Sequence, residues 1–184
     1  FGVYGFIVAS VIVSLGDKGP KYDGRRTLNP FMHMNALGAT LLLLFSIGWI
    51  KPIKVDPKEL NHSKFALGLS GISGTLALMG MALVLKLIAP YLVNSLQNNA
   101  GFTLFTFINV VSSLSMSFGL INLIPIPPFT GHYFLLALAP QSQTFLDRHQ
   151  FTISLILAIL IVTGVAFTSI KPISQAIARL FFGN

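Results

Sequence analysis

Residues 65–85 read FALGLSGISGTLALMGMALVL, twenty-one positions without a charged side chain. A helix of that length rises about 31 Å at roughly 1.5 Å per residue, which matches the hydrocarbon core of a bilayer, about 30 Å thick. Gly68, Gly71, Gly74 and Gly80 recur along it, and small residues let helix backbones approach closely where lipid supplies no hydrophobic drive to association. Lys86 follows at once, placed so that its ammonium can reach the interface while its stem stays among apolar groups. This segment decides the fold class, an all-α integral membrane protein built as a polytopic helical bundle.

Working outward, Phe102 to Ile124 is a second span, broken by Pro125, Pro127 and Pro128, and Phe151 to Ile170 is a third, ending at Lys171-Pro172. The apolar run Phe1 to Leu15 ends at Gly16-Asp17. As a helix it would rise only about 22 Å, so its beginning is expected to lie upstream of Phe1. It lacks the basic leader and small-residue cleavage pattern of a signal peptide. Ala36 to Ile50, fifteen apolar residues bounded by Lys51, is short for a span and suits a re-entrant or interfacial segment. Lys51 to Pro57 holds two prolines, which favour an extended, β-like loop. Ile173 to Phe182 reads as a short interfacial helix. The expectation is about four transmembrane helices plus these smaller pieces, in one domain over residues 1–184.

Composition agrees. The 184 residues are 53% hydrophobic and 9% charged, with a mean hydropathy of +0.77, against about 25% charged in a soluble domain. Cysteine is absent, which excludes disulfides and thiolate metal sites. The net charge of +7 raises nucleic acid as a partner, but the cations flank apolar runs and have no aromatic platform beside them, so anionic lipid headgroups are the better counterpart. With residues 36–50 re-entrant, nine of the twelve Lys and Arg residues fall on one face. The positive-inside tendency places that face in the cytoplasm, and the expected location is a bacterial inner membrane.

Two stretches carry a resemblance. The first runs Leu15-Gly-Asp17, Gly24-Arg-Arg-Thr-Leu-Asn-Pro30, His33-Met-Asn-Ala-Leu-Gly38 and Gly48-Trp-Ile-Lys-Pro52; the second is Asn122-Leu-Ile-Pro-Ile-Pro-Pro128. In order and content they resemble the compact bacterial branch of the site-2 protease family, the intramembrane zinc metalloproteases. That resemblance implies a His-Glu-x-x-His helix, whose histidines share one face and bind zinc while the glutamate acts as base on zinc-bound water, and an aspartate after the Pro-Pro pair as third ligand. Counted back from Gly16-Asp17, the histidine positions fall on Tyr4 and Val8 and the glutamate on Gly5, while the aspartate falls on Thr130. Residues 1–16 contain no His, Glu, Asp or Cys, so a shift of alignment restores nothing. The family's Gly-Pro-x-x-Asn reads here as Gly71 to Thr75, and its His-x-Asp turn ends in Asn35.

From these departures the expectation is a pseudoprotease rather than an enzyme, with no catalytic residue, no metal and no cofactor. It would be a structural or regulatory subunit of a larger complex that binds other integral membrane proteins within the lipid bilayer. The expected partner-binding motif comprises Asn29, Pro30, His33, Asn122, Pro125, Pro127 and Pro128. An active zinc endopeptidase with an unorthodox site, built from His33, His132 and Asp17, is the alternative; against it, no histidine pair has the close helical spacing of a zinc helix. A small transporter or channel is a third option, suggested by Ser112, Ser113, Ser115, Ser117, Asn109 and Asn122 in the second span, though interhelical bonding and close packing are the better explanation of such residues, since no acidic partner lies in any span. The acids Asp17, Asp23, Asp56, Glu59 and Asp147 lie in no nucleophile-elbow context.

Overall fold

The computed structural model describes residues 1–94 and 99–164. In chain order they form α1 (Gly2–Ser14), α2 (Gly19–Tyr22), α3 (Pro30–His33), α4 (Ala36–Phe45), α5 (Ser63–Asn94), α6 (Asn99–Ile121), α7 (His132–Leu138), a 3-10 turn (Pro140–Ser142) and α8 (Gln143–Val162). Three stretches are long and apolar enough to cross a bilayer: Ser63–Leu92, Ala100–Ile121 and Pro140–Val162. The expected count of about four is thus three among the described residues, since α1 has 13 residues and rises only about 20 Å. The third span also begins earlier than expected. Asp147, Arg148 and His149 sit in the first turns of α8 instead of preceding it. The end of that span, after Gly164, and the tail helix expected at 173–182 lie outside the described residues.

α5 is the spine. Its main neighbours are α6, α1 and α7, and glycines on its faces explain how they approach. A Cβ on Gly74 would fall 2.6 Å from the ring of Tyr4 and 2.8 Å from Val8 Cγ2, and one on Gly71 would meet Phe134 at 3.3 Å. Toward α6, Thr75 donates its hydroxyl to Gly119 O at 2.8 Å. The first core cluster forms here, with Tyr4, Val8 and Ile12 of α1 against Leu67, Leu78, Phe118 and Tyr133. A second gathers Leu41, Ile47, Trp49, Phe129, Ala158 and Ile161 where α4 meets α8. Outward faces carry Leu76, Leu83, Leu87, Phe102, Phe107 and Phe151, all exposed in the isolated chain, as a lipid-facing surface requires.

The segment between α1 and α5 forms a layer of short elements. Asn29 caps α3 by accepting from Phe31 N, and Asn35 caps α4 by accepting from Gly38 N, each at 3.0 Å, the usual N-terminal role of asparagine. After α4 the chain turns through Ser46 in the left-handed region and returns, so that Met34 and Ile50 form an antiparallel bridge. The ends of the expected re-entrant segment therefore meet. That bridge is isolated, and the described residues contain no strand. The return passes α4 at backbone distance: a Cβ on Gly48 would sit 2.4 Å from Gly38 O and 2.7 Å from Leu42 Cβ.

Gly48 and Gly80 therefore respond oppositely to alanine. Gly48→Ala should cost about 1–3 kcal/mol through overpacking, whereas Gly80→Ala, with nothing within 4 Å of its added methyl, should be neutral or stabilising by up to about 1 kcal/mol. Thermal unfolding in detergent micelles measures both.

Candidate functional site

Tyr4, Gly5 and Val8 stand on the inner face of α1, all buried, because the i, i+1, i+4 spacing turns them together toward α5. Thr130 reaches the same place from the far end of the chain. α6 ends at Ile121, and the turn that follows carries a cis peptide between Pro127 and Pro128. Gly131 N then returns to Asn122 O at 2.7 Å, a closure that only glycine permits, since a Cβ there would lie 2.2 Å from Leu123 O. The turn delivers the Thr130 hydroxyl to 2.5 Å from the Tyr4 phenol, with Asn122 O at 3.3 Å and Gly71 O at 3.4 Å.

The proline-turn motif is held from the other side as well. Asn122 Nδ2 donates to Gly48 O at 3.1 Å and to Phe118 O at 2.8 Å, which joins α6 to the return segment after α4. Pro127 and Pro128 are buried, whereas Pro125 is exposed. In the loop motif Asn29 and Pro30 are exposed and start α3, and His33 is wholly buried. Its Nε2 bonds Thr27 O at 2.8 Å, and Lys51 N donates to its carbonyl at 2.6 Å. The residues expected to bind a partner are thus mostly engaged in turn and capping contacts within the chain.

A zinc site needs nitrogen, oxygen or sulfur donors at roughly 2.0–2.3 Å around one point. Val8 and Gly5 have no such atom, and the Tyr4 and Thr130 hydroxyls are bonded to one another. Nor could a glutamate occupy position 5 as the chain stands: a Cβ there would fall 2.1 Å from His33 Nδ1. These four positions do not fit the ion. The alternative set is not assembled either. Both carboxylate oxygens of Asp17 accept main-chain N–H groups, from Gly19 at 2.8 Å and Asp56 at 2.9 Å, while His132 Nδ1 bonds Phe129 O at 2.6 Å. Among the described residues no three His, Asp or Glu side chains are grouped to hold a metal.

Two arrangements had no signal in the sequence. All five acidic residues, Asp17, Asp23, Asp56, Glu59 and Asp147, line one open cleft of about 510 Å³ with Lys54 and Lys58. A separate apolar groove of about 370 Å³ runs between Phe1, Gly2 and Val3 of the α1 end, Leu28 and Pro30 of the loop, Leu42, Leu78 and Met81, and Leu114, Ser115 and Phe118 of α6. It borders the Tyr4–Thr130 contact, because Phe118 packs edge-on against Tyr4 with ring centroids 5.3 Å apart. The serines of α6 divide. Ser112 is buried with no partner for its hydroxyl, and Ser113 and Ser117 are exposed, so the side-chain bond between α5 and α6 is made by Thr75 to Gly119 O instead.

No protein-family model matches the chain, and no solved structure does. The chain is similar to a protein of Bacillus subtilis (strain 168) named "Putative zinc metalloprotease YwhC". The two are 29% identical over 159 residues, covering 81% of this chain and 71% of the relative. That similarity supports the site-2-protease-like relationship carried by the loop and proline motifs, and it corrects one expectation. The chain was expected to fall outside the enzymes; its likeness over most of its length to a protein with a metalloprotease name points instead toward the protease family.

Two measurements test the geometry. In a double-mutant cycle of Tyr4→Phe and Thr130→Val, the coupling between the hydroxyls should be about 1 kcal/mol of unfolding free energy. Burial holds both His33 and His132 below the ordinary histidine value, so the unfolded chain takes up protons that the folded chain resists. Stability is therefore complete above about pH 6.5 and is lost as pH falls through the lowered native values, which thermal midpoints between pH 7.5 and 5 should record as a decline.

Proposed function

We propose that this chain is a site-2-protease-like membrane protein of a bacterial inner membrane that receives a transmembrane segment of another integral membrane protein in the groove between α1, the loop layer, α5 and α6. The groove itself carries the proposal. Ser115 is the one polar side chain among its lining residues, so it suits an apolar segment. Its walls also reach Phe118, which touches Tyr4. A segment seated there lies beside the positions where the resemblance locates protease chemistry.

The relative's name favours a second reading of the same groove, zinc-dependent cleavage of the segment held there. Since Tyr4, Gly5, Val8 and Thr130 do not fit zinc, that chemistry would need donors other than these, and no step is assigned to them. Elemental analysis of the purified chain bears on it directly, because an active metalloenzyme carries about one zinc per chain.

One experiment tests the groove and separates the two outcomes. A photo-crosslinking residue is placed at Val3 or Leu114 in the groove, or at Phe107 on the outward face of α6, in membranes of the native host. Val3 and Leu114 should capture a defined membrane protein through a transmembrane segment, and Phe107 should not. Leu114→Trp should lower capture several-fold by filling the groove. Intact adducts indicate holding, and adducts shortened within the segment indicate cleavage. Equal labelling from all three positions would rule out the groove as the binding surface.

A further inference from the structure

A third cavity, of about 440 Å³, opens on the loop layer and is lined by Asp23, Arg25, Met32, Lys51, Pro52, Ile53 and Lys54. Three of these side chains are cationic and one is anionic. Arg25 is the unusual member. It is only 5% exposed; its Nη2 donates to Lys51 O at 2.5 Å, and its Nε–H has no acceptor. Leaving a buried charged donor unpaired is costly, and among the described residues no carboxylate forms an ion pair with Arg25, Lys51 or Lys54. Burial also pulls the Arg25 guanidinium below its ordinary value, the desolvation of a charge that an anion in the cavity would offset.

The position of the cavity matters as much as its charge. Lys51 to Lys54 lead from the Met34–Ile50 bridge toward Ser63, where the first long apolar span begins. The cavity shares Asp23 and Lys54 with the acidic cleft, whose walls also hold Glu59, just before that span, and Gln143 and Asp147 in the opening of the third, and the ends of spans lie at the level of the headgroups. Apolar groups surround the cavity. Met32 and Ile53 are in its wall, and Leu28, Phe31 and Met34 stand exposed on the neighbouring loop. Cations beside exposed apolar side chains suit an amphiphile with an anionic head.

We infer that Arg25, Lys51 and Lys54 form a binding site for a phosphate group, carried either by the headgroup of an anionic phospholipid or by free phosphate. Arg25, braced by the Lys51 carbonyl, supplies the fixed donor. Lys51 and Lys54, both exposed, close on the group as point charges. Asp23 repels a second negative charge, which favours a monoanionic diester over a dianion. The inference does not depend on the apolar groove or on what it holds.

The test uses the full chain, delipidated in a neutral detergent, with native mass spectrometry to count bound molecules. The probes are short-chain phosphatidylglycerol, short-chain phosphatidylcholine and inorganic phosphate. Phosphatidylglycerol should bind one per chain. The variant Lys51→Gln/Lys54→Gln should weaken it about tenfold or more, while Lys58→Gln/Lys64→Gln, which removes the same charge outside the cavity, should leave it unchanged. Circular dichroism confirms that both variants fold. Competition by inorganic phosphate identifies free phosphate as a ligand; its failure, with lipid binding intact, identifies the headgroup. Equal weakening by the two double variants, or equal binding of phosphatidylcholine, would overturn the site.

Discussion

Hydrocarbon offers no hydrogen bonds, so irregular backbone near a membrane span must be satisfied within the protein. The turn after α6 is the place where this constraint is most demanding, and Asn122 meets it. Its side chain reaches Gly48 O and Phe118 O, and its carbonyl accepts from Gly131 and Thr130. One residue thereby links the end of α6, the return of the loop layer and the start of the α7 region. Thr130, set by that turn, then meets Tyr4 on α1. Remove the Asn122 contacts and the turn loses its anchor, and with it the position of Thr130 and the packing of α1.

Close backbone approach is the second element of the design. Gly74 leaves room for the Tyr4 ring, Gly5 for His33, Gly38 for the Trp49 backbone and Gly48 for the Gly38 carbonyl. Each is a place where a side chain would be forced into another atom, and together they allow a thin loop layer to lie flat against the bundle. The same economy of space bears on the chemistry at α1. At the positions where the motif resemblance would place metal ligands, the volume is occupied by a phenol, a threonine hydroxyl and an imidazole. The similarity across most of the chain and the local misfit at four positions are both facts about this protein, and they direct attention to the groove beside those positions.

Charge is sorted on the loop layer. The five carboxylates gather around one cleft and three cations around the adjoining cavity, with Asp23 and Lys54 on the wall shared by both. In a chain of net charge +7 this gathers every carboxylate, Asp147 of α8 included, at one cleft beside a cavity where cations prevail. The basic side has a buried guanidinium whose Nε–H lacks an acceptor. The acidic side has Asp17, whose oxygens are already taken by main-chain donors.

The sequence by itself determined the features that local physics controls. Uncharged runs of span length marked α5 and α6, and Lys51 to Asp56 carries no helix, as expected of a stretch holding prolines. It also identified the Asn122 to Pro128 turn as a unit. It placed the third span too late, because Asp147 and Arg148 were read as loop although the first turns of an interfacial helix end accommodate charge, and it missed α7, seven residues with no periodic signal to distinguish them. The resemblance put Tyr4 and Thr130 at positions of one site, but tertiary structure alone decided that their hydroxyls bond to one another, that all the acids share one cleft, and that the Nε–H of Arg25 is left without a partner. Those facts depend on which distant surfaces close on one another, and spacing along a chain carries no information about contacts made through a glycine notch on another helix.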